Sequence, residues 1–139
     1  MVGLLVVTHG KLAEELVAAA RKIVGDLPRV EAIAIGWDED VGVASKSIGD
    51  AIHRLDEGEG TLVLTDMFGG TPTNLSLTFL QSGKVEIVTG VNLPMLIKFS
   101  NLRELAKLDE VAAKIRDQGR KAIYAASEVL KSGADKGAA

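Results

Sequence analysis

The chain has no cysteine, only two histidines and three prolines, and just 4% aromatic residues. Without cysteine there is neither a disulfide nor a thiolate metal ligand, a usage that fits a reducing compartment. So few aromatics argue against a surface for stacking nucleobases. Basic residues are scattered and the formal net charge is −3, so the electrostatic footprint of a nucleic-acid binder is missing too. No apolar run approaches the roughly 20 residues that a membrane span needs. Met1–Thr8 has neither the basic start nor the small-residue cleavage site of a secretory signal, and reads as a first strand. The expectation is a cytoplasmic protein with no membrane insertion. At 139 residues and 47% hydrophobic content, one domain with a substantial core is the natural size.

What is present is a regular alternation. Four β-branched-rich runs, Val2–Val7, Val30–Ile35, Thr61–Thr65 and Val85–Thr89, are continuously apolar, as parallel strands covered on both faces are. Helix-period segments separate them. Lys11–Val24 places Leu12, Leu16, Ala19 and Ile23 on one stripe and stops at Gly25. Val41–Leu55 does the same with Val41, Ala44, Ile48, Ala51, Ile52 and Leu55. Thr73–Leu80 follows Pro72, which suits a first helical turn because its missing N–H costs nothing there. This order predicts an α/β fold, a mostly parallel sheet with right-handed crossovers and helices on both faces. Beyond Gly90, Asn92-Leu93-Pro94 opens a further helix, and Asp109–Leu130 is helical over much of its length. Residues 1–131 form the domain; Ser132–Ala139, small and polar, reads as a flexible tail.

His9 ends the first strand and Asp66 ends the third. Parallel strands release both at the same sheet edge, where α/β folds build their sites. A carboxylate at Asp66 can accept from one imidazole nitrogen, fixing the tautomer and leaving the other as a nucleophile. Gly10 and Lys11 open the next helix, whose amides and dipole favour an anion carried on the ring. Gly69-Gly70 allows backbone to approach a phosphoryl group, and Thr71 offers a hydroxyl. His9 and Asp66 are thus the catalytic candidates, and Gly10, Lys11, Gly69, Gly70 and Thr71 the phosphate-binding ones. No metal or cofactor is implied. Each residue also has a plainer use: a loop histidine that only hydrogen-bonds, a capping aspartate, glycines in a tight turn. Trp37-Asp38-Glu39-Asp40 reads either as a solvated loop capping the next helix or as an acidic, partly apolar rim for a partner. His53, inside a helical segment, is expected to face solvent.

Three stretches, Leu5-Val6-Val7-Thr8-His9-Gly10, Asp66-Met67-Phe68-Gly69-Gly70-Thr71-Pro72-Thr73-Asn74 and Gly90-Val91-Asn92-Leu93-Pro94-Met95-Leu96, resemble the mannose-family IIA component of the bacterial phosphoenolpyruvate-dependent sugar phosphotransferase system. The resemblance covers nearly the whole chain. It implies that His9 accepts phosphate from the phosphocarrier HPr and passes it to a IIB component, with Asp66 orienting the ring. Gly69, Gly70 and Thr71 would lie beside the phosphoryl group, and Trp37, Phe68 and Asn74 are the candidates for partner contact. The implied fold is a three-layer parallel sheet of order 2-1-3-4, with an antiparallel edge strand exchanged across a homodimer. The helical pattern of Asp109–Leu130 leaves room for that strand only near its end. Many members are fused to a IIB domain; the sequence here contains none, which points to a separate IIB protein or to a regulatory role.

Three rivals share parts of this pattern. The phosphotransfer subunit of dihydroxyacetone kinase also places a histidine after strand 1, but without the Gly-Gly-Thr-Pro loop. A response-regulator receiver would use the aspartate at the end of strand 3, yet wants an acidic pair where Thr8-His9 stands. A tetrapyrrole chelatase needs a second metal-binding histidine, and His53 is badly placed for it.

Overall fold

In the computed structural model, residues 1–136 are described, with side chains through Lys131. Strands β1 (Gly3–His9), β2 (Val30–Ile35), β3 (Thr61–Thr65) and β4 (Val85–Thr89) form one sheet of order β2-β1-β3-β4, every pair parallel. β1 runs on past its apolar stretch, because Thr8 and His9 keep the ladder with Ala34 and Ile35. Side chains along β1 and the residue before it alternate between two cores: Val2, Leu4 and Val6 face one, Leu5 and Val7 the other.

Six helices are described: α1 (Leu12–Val24), α2 (Val41–Leu55), α3 (Thr71–Leu77), α4 (Leu93–Leu102), α5 (Leu108–Lys121) and α6 (Ala126–Lys136). α1, α4 and α5 cover one face of the sheet, through Val17, Phe99 and Ile115 among others. α2 and α3 cover the opposite face, where Ile48, Ile52 and Leu55 are buried and Leu75 packs against them. Three layers result, as the sequence pattern requires.

Three expectations need correction. α1 buries Ala13, Val17 and Ala20, while Leu12 and Ile23 are 47% and 58% exposed. The stripe is rotated by one position, because small side chains let this helix sit close to the sheet. Asp109–Leu130 is helical over most of its length, as expected, in two pieces: α5 ends at Lys121, and α6 begins at Ala126 after a short non-helical stretch. No antiparallel edge strand stands among the described residues, so β4 is a free edge and the sheet is wholly parallel. α6 continues past Ser132, the expected start of the tail, to Lys136; the rest of that tail lies outside the described residues.

Buried Arg103, just after α4, ties the ends of several elements together. Its guanidinium donates to the carbonyls of Val2, Pro28 and Arg29 and lies 4.8 Å from the Phe99 ring centroid.

Candidate active site

β1 and β3 are neighbours at the point where the strand order reverses, and their carboxyl ends open the crevice typical of such folds. His9 closes β1 and Asp66 directly follows β3. Asp66 Oδ2 accepts twice from His9, from its backbone N–H at 2.9 Å and from ring Nδ1 at 2.7 Å. Asp66 Oδ1 accepts from the Met67 amide at 2.9 Å. The two side chains are 25% and 14% exposed, so the pair is sheltered without being sealed. Burial alone would raise the Asp66 carboxyl. The hydrogen bonds from the His9 backbone and ring, with the charge of His9, outweigh it and hold the group below the usual carboxylate range. An ionised carboxylate only accepts, so Nδ1 carries the proton, and in the neutral ring the lone pair lies on Nε2.

Gly70 explains itself by proximity. A Cβ there would stand 2.7 Å from His9 Cε1 and 3.2 Å from Nε2, so only a glycine lets the β3–α3 loop lie against the ring. The Trp37 indole stacks on the imidazole from the β2–α2 loop, centroids 5.3 Å apart and planes 22° from parallel. Gly10, with φ +54, makes the left-handed turn from β1 into α1. Its amide donates to the Ile35 carbonyl at 2.9 Å. The expectation that this N–H faces an anion is therefore corrected: it is spent on extending the ladder. Lys11 is exposed at the start of α1 and makes no side-chain cap. Thr71 is exposed as the first residue of α3, beside Gly70.

Phe68 and Trp37 are 72% and 81% exposed on the rim. Asn74 is exposed on α3, its backbone amide donating to the Gly70 carbonyl at 2.9 Å and its side chain reaching towards the Gly69 carbonyl. His53 is exposed on α2. Among the described residues no group of three or more histidine or acidic side chains is placed to hold a metal.

Two supporting residues escaped the sequence reading. Buried Thr8 accepts from the Ala13 amide at 2.7 Å and so caps α1 from inside β1. Thr73 donates to the Met67 carbonyl at 2.5 Å and sits 2.6 Å from the Thr65 hydroxyl, which locks the loop carrying Asp66 and Gly70. The signal for both was a threonine within the site motifs, a residue that satisfies backbone groups at helix starts and turns.

The arrangement offers an oriented imidazole at a crevice mouth, a carboxylate behind it and an open rim before it. Comparison with known proteins agrees with that chemistry. A family model, EIIA-man, described as the fructose IIA component of the phosphotransferase system, matches residues 3–116. The chain is 25% identical over 132 residues to the fructose-specific EIIA component of Bacillus subtilis, covering 94% of this chain and 90% of that protein. It is 29% identical over 126 residues to the mannose-specific EIIAB component of Escherichia coli, 89% of this chain but 39% of that longer protein. Among solved structures, a IIA protein associated with the fucose utilization operon of Streptococcus pneumoniae superposes with a TM-score of 0.82 at 27% identity, over 92% of this chain and 95% of that one. With a family model spanning most of its length and a solved IIA structure superposing on nearly all of its fold, the chain belongs to the mannose-type IIA components, phosphoryl carriers of the sugar phosphotransferase system.

Proposed function

We propose that His9 Nε2 is the atom that carries the phosphoryl group, accepted from phospho-HPr and passed to a IIB component in the cytoplasm. The observation that carries this is the double hydrogen bond from His9 to one Asp66 oxygen, which leaves Nε2 as the free lone pair. In the forward step Nε2 attacks phosphorus, the N–P bond on the donor histidine breaks, and the donor ring keeps the electron pair. The Nδ1 proton stays between ring and carboxylate, so the positive charge that develops on the phosphorylated ring faces Asp66. Positioning and charge stabilisation dominate such transfers. Gly69 and Gly70 admit the phosphoryl group closely, the Thr71 hydroxyl and Lys11 at the start of α1 face its oxygens, and Gly10 supplies the turn. Trp37 and Phe68 form the rim for partners, with Asn74 bracing it.

Incubation with phosphoenolpyruvate, enzyme I and HPr tests this directly. Acid-labile phosphate mapped to His9, absent from His9→Ala, is the expected result; undiminished labelling of His9→Ala would sink it. Acid-stable phosphate on Asp66 would instead revive the receiver reading, against which the engagement of its carboxylate by His9 already weighs.

A homodimer completes the proposal. β4 leaves a free edge, along which runs a groove of about 580 Å³ lined by Phe68, Ile87, Val88, Arg120 and Ile123. Ile123 and Tyr124, between α5 and α6, are 77% and 72% exposed, an apolar surface that a second copy would cover. Light scattering is expected to give twice the chain mass, and Tyr124→Asp to halve it.

A further inference from the structure

The β2–α2 loop is built to hold one side chain in place. Glu39 Oε2 accepts from the Gly36 amide at 2.9 Å, and the Glu39 amide donates back to the Gly36 carbonyl at 3.3 Å. Asp40 Oδ1 accepts from the Val43 amide at 2.9 Å and so caps α2. Between these braces stands Trp37, the only tryptophan of the chain, 81% exposed. An indole so open to water adds little to the core. Its one aromatic neighbour among the described residues is the ring of His9.

The imidazole is thus confined from three sides. Asp66 holds Nδ1, Gly70 lies against Cε1, and Trp37 covers a ring face. The carboxylate fixes one end of the ring but leaves it free to tilt about that bond. A flat indole on the face removes the tilt. Transfer in line with Nε2 depends on that angle, since the donor phosphorus must meet the lone pair in the ring plane.

We infer that Trp37 is a positioning residue for phosphoryl transfer, its indole holding the His9 imidazole in the plane that in-line attack requires. This rests on His9 as the phosphoryl carrier and adds a second role to the rim contact already assigned to Trp37. The rim contact acts on encounter with the partner; the stack acts on the chemical step. The two are separable in kinetics. The braces define a second handle, because loosening Glu39 frees the indole without removing it.

Single-turnover transfer from phospho-HPr to wild type, Trp37→Ala, Trp37→Phe, Val43→Ala and Glu39→Ala separates the roles. Val43 is exposed in the first turn of α2, six residues from Trp37, so its variant serves as the control for docking. The stack predicts that Trp37→Ala lowers the saturated transfer rate about two- to tenfold, the range expected of one aromatic pair. Trp37→Phe restores most of the rate, Glu39→Ala loses part of it, and Val43→Ala alters only the concentration of donor needed. Nuclear magnetic resonance of the His9 ring protons gives an independent readout: an indole ring-current shift in wild type, lost in Trp37→Ala. A Trp37→Ala protein whose saturated rate equals wild type, or whose His9 ring shifts are unchanged, overturns the inference while His9 remains the carrier. A wild-type protein that takes no label on His9 overturns both.

Discussion

Gly70 is where a single atom decides the chemistry. Its backbone angles, φ −88 and ψ 169, suit any residue, so Gly70→Ala is expected to fold normally. The added methyl must displace the imidazole, and a displacement near 1 Å costs about a hundredfold in transfer rate. Unchanged melting together with lost phosphate uptake is the outcome to look for. Asp66 links the site to stability. Its carboxyl is held below the ordinary value in the folded chain, so the stabilisation is fully present above the unfolded value and is lost as pH falls through the lower, folded one. Asp66→Asn removes that component: urea midpoints of wild type and variant should differ at neutral pH and converge in acid. At this scale the His9–Asp66 pair was legible beforehand, because parallel strands deliver both residues to one edge. The Trp37 stack and the Thr73 lock were not, since each depends on a loop conformation that no periodicity encodes.

At the scale of elements, β2, β3, β4 and α2 have the bounds their apolar patterns indicate. Fully covered parallel strands write themselves as unbroken β-branched runs, and α2 buries Ile48, Ile52 and Leu55 of its expected stripe, while Val41 at its start is exposed. α1 was misjudged because its buried face is built largely of alanine, which a hydrophobic pattern weighs less than leucine. β1 outruns its apolar stretch because Thr8 is polar in sequence yet buried in the ladder, where its hydroxyl holds the first turn of α1. Thr8→Val keeps the shape and removes the acceptor. A buried amide left without a partner costs about 1–3 kcal/mol, so thermal unfolding should begin several degrees lower. Phosphate acceptance should also slow under the role proposed for His9, because the β1–α1 turn is the next thing to relax.

Across the whole molecule, Arg103 joins parts that the sequence sets far apart. It fastens the residue before β1, the residues before β2 and the end of α4 with one planar group. Arg103→Lys retains charge but not the fork, and Arg103→Met retains bulk alone. Both should lose about 2–4 kcal/mol in urea unfolding, with little difference between them, because the carbonyls they abandon are the same. The two cores meet only through the sheet, and β1, paired on both sides, is the wall they share. The residue at its end therefore rides on the part of the chain with the most to lose by opening. A carrier made this way has no half-working state on the road to unfolding. Heat should extinguish phosphate acceptance and the folded spectrum along one curve, and a cell that degrades the unfolded chain would hold only molecules fit to receive phosphate.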